Sequence, residues 1–419
     1  MKPHRPSAAS TSRAWGGALL LALAVMTGGA VAPAHAADAA FAQFVASLWG
    51  EAQRAGVSRT TFDAATAGLE PDYKLPDLAL PGRPPSSAPQ AEFVQVPADY
   101  LKEASIARLA ATGQQMRQQH RATLDRIERQ FGVPGSIVLA IWARESDYGR
   151  ARAGYDALRV LATQAYVGRR KDQFRNEFVL ALKMIQDGYG TRQMRSSWAG
   201  AIGLTQLLPS EFYKNAVDFD GDGRIDIFAS VPDALAITAK QLLSKGWQPG
   251  LRWAYEVRAP ANVDCTLGVP EITRPIAEWL RAGFVPAHNA RISAQEQAQS
   301  ASLLQPEGIY GPAFLTTKNY FVIKEYNFSD LYVLFVGHLA DRITKQQPFE
   351  TPWSATQQMR TADVETMQKH LTRIGLYKDK IDGKAGMQTR AALGAFQKQA
   401  RIKLDCWPTA DVLRAMTGR

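Results

Sequence analysis

Only two cysteines, Cys265 and Cys406, occur in 419 residues. So few exclude a fold framed by disulfides, and equally a four-cysteine metal site. Spacing alone leaves open whether the two pair with each other or stand as separate buried thiols. Histidine is scarce too: two of the six precede residue 37, and no HExxH zinc helix occurs. After residue 36 no apolar run is long enough to span a bilayer. Nor does a nucleic-acid motif or a lysine-rich tail accompany the formal charge of +10, so nucleic acid is not an expected partner. The excess of base still favours an anionic partner of another kind.

What is present begins with a leader. Lys2, His4, Arg5 and Arg13 precede the apolar run WGGALLLALAVM, and Ala34-His35-Ala36 supplies a small-x-small cleavage site. Residues 1–36 therefore read as an export signal, with a membrane anchor as the alternative. No cysteine follows the apolar run closely enough to be lipidated. The expectation is a soluble protein of a bacterial cell envelope with no stable membrane insertion once the leader is removed.

Helical spacing marks AAFAQFVASLWGEAQRAG, VSRTTFDAATAGL and ATLDRIERQF, and the Gly132-Val133-Pro134 turn resets the chain for SIVLAIWARES. The proline-rich PDYKLPDLALPGRPPSSAPQ reads as an extended excursion. Further helices are expected at 160–186, at 231–245 and from about Ser329. SSWAGAIGLTQLLPSEF mixes glycine, small residues and aromatics, as a cleft wall would. Residues 344–358, TKQQPFETPWSATQQ, read as a linker. Three short helical patterns beyond it make a small domain with little core.

Several passages carry a family resemblance when taken in order: GVSRTTFDAATAGLEPD, FGVPGSIVLAIWARESDYGR, SWAGAIGLTQLLPS, VDFDGDGRIDIFASVPDAL, WAYEV and NYFVIKEYN. Together they resemble the B family of lytic murein transglycosylases. The tail MQKHLTRIGLYKDKIDGKAGMQTRAALGAFQKQ resembles a helical peptidoglycan-binding domain. The resemblance implies a mainly α fold: a lysozyme-like catalytic core with additional helical elements over residues 37–343, then a three-helix wall-binding domain over 359–419. It implies cleavage between N-acetylmuramic acid (MurNAc) and N-acetylglucosamine (GlcNAc) without water, leaving 1,6-anhydroMurNAc ends, in the periplasm of a Gram-negative bacterium. Glycan strands and their peptide stems are the implied partners, with wall-building proteins as further ones. Glu145 falls at the family's catalytic position. Ser197, Trp198, Gln206, Tyr255, Asn319, Tyr326 and Asn327 fall where substrate contacts are expected. Asp382, Gly383, Gly386, Thr389 and Arg390 fall in the turns expected to bind wall.

The chemistry asks for such a glutamate. Breaking a glycosidic bond needs a proton on the departing oxygen as positive charge develops at carbon. Ordinary glycosidases add a second carboxylate, but Asp147, two positions on, does not share a helix face with Glu145. In the resembled family the sugar's own N-acetyl oxygen and 6-hydroxyl replace that partner, so one glutamate acts as acid and then as base, and no cofactor is required. The competing readings are a surface ion pair of Glu145 with Arg144 or Arg150, a hydrolytic muramidase, and a non-catalytic wall-binding scaffold.

Two departures bear on these expectations. Leu204-Thr205 stands where many relatives carry an aromatic and a glycine. LDCWPT places Cys406 where the small domain usually has glycine, so a positive φ there would be strained. Separately, DFDGDGRIDIFA begins as a calcium loop. Asp218, Asp220 and Asp222 take positions 1, 3 and 5, Arg224 offers its carbonyl, and Asp226 takes position 9, where ligation can run through water. Position 12 is Ala229 rather than a bidentate glutamate. A structural calcium ion and a plain polar turn are the two readings.

Overall fold

The computed structural model describes residues 34–82, 95–151, 153–345, 347–354 and 359–418. The export-signal segment up to residue 33, and residues 83–94 of the proline-rich excursion, lie outside the described residues. Among the described residues no helix is long and apolar enough to cross a membrane.

The Gly135–Ser146 helix runs through the middle of the main core. Ile137 to Ala143 are buried at every consecutive position, the pattern of a helix surrounded by protein rather than one with a wet face. The Glu103–Gln119 and Asp330–Lys345 helices pack on it. Tyr320, Tyr332, Trp247 and Trp253 fill the same cluster. A second core joins Phe41, Val45, Leu48 and Phe62 of the first helices to Phe174, Phe178 and Leu182 of the Lys171–Gln186 helix. SSWAGAIGLTQLL closes this core with Ile202 and Leu207.

Two sheets accompany the helices. A short pair, β1 (Tyr155–Asp156) and β2 (Arg195–Ser196), fastens the base of the 196–207 loop. The larger sheet contains β3 (Ala254–Arg258), β4 (Thr273–Pro275), β5 (Val285–Pro286), β6 (Ser300–Leu304) and β7 (Ala313–Thr316). They run antiparallel in the order β4-β6-β7-β3-β5, with Glu256 opposite Phe314 and Leu303 opposite Leu315. The mainly helical fold with additional helices is as expected, and this sheet is an addition to it that the sequence pattern does not announce. Strands of two to five residues are too short to show alternation. β7 is buried at all four positions and β6 at four of five, which erases the period-two signal.

Of the segment read as a linker, residue 346 and residues 355–358 lie outside the described residues, and residues 347–354 are strapped to that sheet. Glu256 accepts from the backbone N–H of Glu350 and Thr351 at 3.0 and 2.8 Å. Phe349 stacks on His338 at 3.7 Å and meets Phe314 edge-on at 5.1 Å. Burial, reinforced by the charge of Arg342, lowers the His338 pKa to about 3 from an ordinary 6.5. The folded state therefore holds His338 neutral while the unfolded chain takes up a proton below pH 6.5. The stability it contributes is present above 6.5 and is lost as pH falls towards 3, at about 1.4 kcal/mol per unit. Urea unfolding between pH 7 and 4 is expected to show this slope, and His338→Gln to flatten it; an unchanged slope would remove His338 as the cause.

Beyond the strap, the Thr361–Arg373, Met387–Ala400 and Ala410–Thr417 helices enclose Met367, Leu371, Leu393, Phe396, Val412 and Met416. This small body is joined to the sheet region by a Cys265–Cys406 disulfide, which settles the pairing that spacing left open. Cys406 adopts φ 52°, the left-handed conformation of the glycine it replaces. Gln397 holds the turn: its Oε1 accepts from the N–H of Asp405 and Cys406, and its Nε2 donates to Asp405. The backbones come so close here that a Cβ on Gly308 would lie 2.0 Å from the Asp405 carbonyl oxygen, so only glycine fits.

Candidate active site

Glu145 is the penultimate residue of the buried helix. Asp147, Tyr148 and Gly149 then take three successive left-handed conformations, φ 49°, 58° and 80°, which stop the helix and turn the chain sharply. The turn is pinned from several sides. Ser146 donates to the Leu204 carbonyl at 2.6 Å and accepts from Gly149 N–H at 3.0 Å. Tyr148 donates to Leu109 O at 2.9 Å. Asp147 takes Arg150 at 2.8 Å. Arg144 donates to the Tyr100 hydroxyl at 2.8 Å and lies over its ring.

Glu145 itself is only partly buried. Its Oε1 accepts a 2.6 Å hydrogen bond from the Tyr332 hydroxyl. Tyr332 stacks on Tyr326, ring centroids 6.3 Å apart and planes within 7°, and Tyr326 donates to the Thr205 carbonyl at 2.6 Å. Burial first, and then the nearby Glu145 carboxylate, push both phenols well above 10, so both keep their protons and act as donors. Three segments far apart in sequence thus meet: the helix end at 145, the 204–206 loop, and the 326–332 turn. Tyr332 was not anticipated. Its signal was its register in an apolar helix, which reads as packing.

The other expected contacts divide. Gln206 sits at φ 52° with its amide donating to Gly203 O at 2.9 Å, so one end is committed to its own turn. Ser197 caps the same loop by accepting from Ala199 and Ala201 N–H, both at 3.2 Å. Trp198 packs beside Leu75, Leu78 and Val160. Asn327 accepts from Ser329 N–H within the turn between Tyr326 and Tyr332. Two expectations are corrected. Asn319 is fully buried and clips a loop, bonding Gln248 N–H, Gln248 O and Leu251 O at 2.7–2.8 Å. Tyr255 is buried in the sheet's own core and donates to Glu296 at 3.0 Å.

At the calcium-like turn, one carboxylate oxygen each of Asp218, Asp220 and Asp222 lies within 4.8 Å of the others. Asp218 also accepts from Gly221 and Gly223 N–H at 2.7 and 2.9 Å, so the loop winds as a cation loop does. Asp226 stands outside this trio, its Oδ1 accepting from Phe228 and Ala229 N–H, a placement that suits a position reached through water. Arg224 lays its guanidinium over the Tyr189 ring. The organiser missed by sequence is Asp233, fully buried, which accepts from Phe219 N–H and Asp226 N–H at 2.7 and 2.8 Å.

In the small body, Gln368 is a hub. Its amide bonds Asp382 Oδ1, the N–H of Asp382 and Gly383, and the Thr389 hydroxyl at 2.8–3.1 Å. Thr389 is buried, and a Cβ on Gly383 would meet Thr361 at 2.3 Å. These two are therefore turn-forming rather than exposed contacts. Gly386 precedes the Met387–Ala400 helix and, with Asp382, lines a cavity of about 400 Å³ between the small body and the Lys324–Leu331 segment. Arg390 is buried against Asp330, 3.5 Å away, and is corrected from wall contact to a strut between the two bodies.

Comparison with known proteins identifies the family and the fold. The family model for the transglycosylase SLT domain matches residues 40–341, and that for a peptidoglycan binding domain matches 360–416. The structure of SltB3 from Pseudomonas aeruginosa, solved with NAG-anhNAM-pentapeptide, is 34% identical, with a TM-score of 0.81 over 90% of this chain and 99% of that one. SltB1 from the same organism, at 23% identity and a TM-score of 0.57, shares the fold over 73% of this chain and 99% of that one. Among curated sequences, membrane-bound lytic murein transglycosylase B of Escherichia coli is 29% identical over 231 residues. That is 54% of this chain, which spans 61% of the relative's length. With a glutamate at the end of a buried helix, a lysozyme-like helical core and a small helical wall-binding body in one chain, this protein belongs to the transglycosylase SLT family.

Proposed function

We propose that this protein cleaves the MurNAc–GlcNAc bond of peptidoglycan without water, with Glu145 as its single acid and base. The observation that carries this is the partly exposed Glu145 carboxyl at a triply pinned helix end, with a tyrosine hydroxyl fixing one of its oxygens. Glu145 donates its proton to the departing GlcNAc oxygen as that C–O bond breaks, and the MurNAc N-acetyl oxygen supports the anomeric carbon. The carboxylate then accepts the proton of the MurNAc 6-hydroxyl, whose oxygen closes the 1,6-anhydro ring. The proton count balances, and the tethered nucleophile makes a second carboxylate unnecessary. Tyr332 donates to Oε1 and so fixes the pose of the carboxyl towards the sugar. Gln206, Tyr326, Asn327, Ser197 and Trp198 are assigned to the glycan side of this surface. The related SltB3, solved with an anhydro-sugar peptide, supports the product class.

The same reading makes residues 37–343 the catalytic domain and 359–419 the wall-binding domain of a periplasmic enzyme acting on glycan strands with their stems. The test is mass spectrometry of purified wall after digestion. Anhydro ends, one water lighter than reducing ends, are expected. Reducing ends would assign a hydrolase instead.

Calcium belongs to this proposal as a structural ion. Asp218, Asp220 and Asp222, with the Arg224 carbonyl, fit a hard divalent cation, and the missing carboxylate at Ala229 makes the site weak. A bound ion would neutralise three crowded carboxylates and take no part in proton transfer. At ten times Kd, calcium is expected to add about 1.4 kcal/mol of stability. A rise in melting temperature absent from Asp220→Asn would show it; identical melting in calcium and chelator would leave only the polar turn.

A further inference from the structure

Arg390 was expected on the outside of the small domain, facing wall. It is 7% exposed instead. Its Nη1 donates to Ala385 O at 2.6 Å, and its Nη2 faces Asp330 Oδ2 at 3.5 Å. Asp330 is the meeting point of both bodies. Its other oxygen, Oδ1, accepts from the Tyr320 hydroxyl at 2.7 Å and from Lys324 at 2.5 Å. Burial pushes the pKa of this carboxyl up, but Lys324 and Arg390 together outweigh that and hold it below the usual carboxylate range.

Asp330 begins the Asp330–Lys345 helix, and Tyr332 stands in the first turn of that helix. Tyr332 is the residue that donates to Glu145. The route from the small body to the reacting carboxyl is therefore short: Arg390, Asp330, one helical turn, Tyr332, Glu145. Apolar packing reinforces it, since Met387, three residues before Arg390, is buried in the same cluster as Tyr332 and Trp142. The disulfide and the 3.2 Å bond from Ile309 N–H to Asp405 O hold the two bodies in register.

We infer that Arg390 is a positioning residue for bond cleavage: through Asp330 it fixes the helical turn from which Tyr332 holds Glu145. This rests on the assignment of Glu145 as the acid. The physical reason is that Lys324 and Tyr320 both engage Oδ1, so without Arg390 a largely buried Oδ2 loses its counter-charge. The first turn then rearranges to find water or another donor. A carboxyl displaced by about 1 Å from its productive pose costs on the order of a hundredfold, so a partial rearrangement is enough to matter. The small domain thus does more than retain the enzyme on wall; it completes the active site.

The test is a double-mutant cycle on the full-length, oxidised protein, with soluble glycan-peptide oligomers as substrate so that wall retention does not limit the rate. Arg390→Met is expected to lower kcat about tenfold with KM changed less than twofold, while sedimentation with purified wall is unchanged. Arg390→Lys is expected to recover most of the rate. In a Tyr332→Phe background, Arg390→Met is expected to cost less than a further twofold, because both act through one contact. The inference is overturned by a full tenfold additional loss in that background. It is overturned equally by an unchanged kcat, with or without lost wall sedimentation. If Arg390→Met does not fold, as judged by melting, Asp330→Asn takes its place in the same cycle with the same readings. Each rate is taken against the parent's own, so a parent that makes no anhydro product, or an active Glu145→Gln, is recognised separately as failure of the catalytic assignment.

Discussion

Glu145→Gln is expected to lower the rate of anhydro-product formation about 10³-fold, roughly 4 kcal/mol of transition-state stabilisation, while binding to purified wall is kept. Glutamine preserves the shape of the side chain and can still accept from the Tyr332 hydroxyl, so the turn at Asp147–Gly149 should stay closed. What it cannot do is deliver a proton to a departing sugar oxygen. The neighbouring carboxylate does not substitute: Asp147 is engaged by Arg150 and Arg108. The measurement is single-turnover product release with a parallel wall sedimentation assay and a thermal melt. Equal rates for parent and variant would end the assignment. A variant that neither melts cooperatively nor binds wall would report misfolding.

Removing the Cys265–Cys406 bond is expected to cost about 2–5 kcal/mol of unfolding free energy, because it closes a loop with a sequence separation of 141 and fastens two bodies. The replacement at 406 matters beyond the bond. Serine there keeps a Cβ at φ 52°, whereas glycine is free to adopt it. Cys265→Ser/Cys406→Gly is therefore expected to be about 1 kcal/mol more stable than Cys265→Ser/Cys406→Ser. Urea denaturation of oxidised parent and both double variants reads all three values. If the serine and glycine variants unfold together, the backbone at 406 carries no cost and the substitution of cysteine for glycine there needs another reason. Activity on soluble oligomers should fall along with stability, since Gly308, Asp405 and Arg390 all depend on the register that the disulfide keeps.

Several features were legible in the chain because they are local. The continuous apolar run Ile137–Ala143 announces a helix buried on all sides, and the Pro134 and Gly149 punctuation bounds it. The ESDYG turn and the DFDGDG turn carry their own backbone requirements, and the structure winds both as those residues demand. The suspicion about Cys406 was also local, a matter of which φ the position asks for, and φ 52° is what the chain adopts. The sheet was not legible. Its strands are brief and evenly buried, so neither length nor alternation separates them from loops.

From order and chemistry, then, come the family, the helical wall-binding tail, the candidate glutamate and the damaged cation loop: each is carried by short motifs, or by their order along the chain. Which tyrosine holds that glutamate, that Asn319 and Tyr255 serve packing, that the cysteines join, and that Arg390 is buried against Asp330 were decided by contacts between segments up to 187 positions apart. A side chain's chemistry is written in its own residue type. Its partner is settled only when burial excludes water and leaves each donor one acceptor within reach.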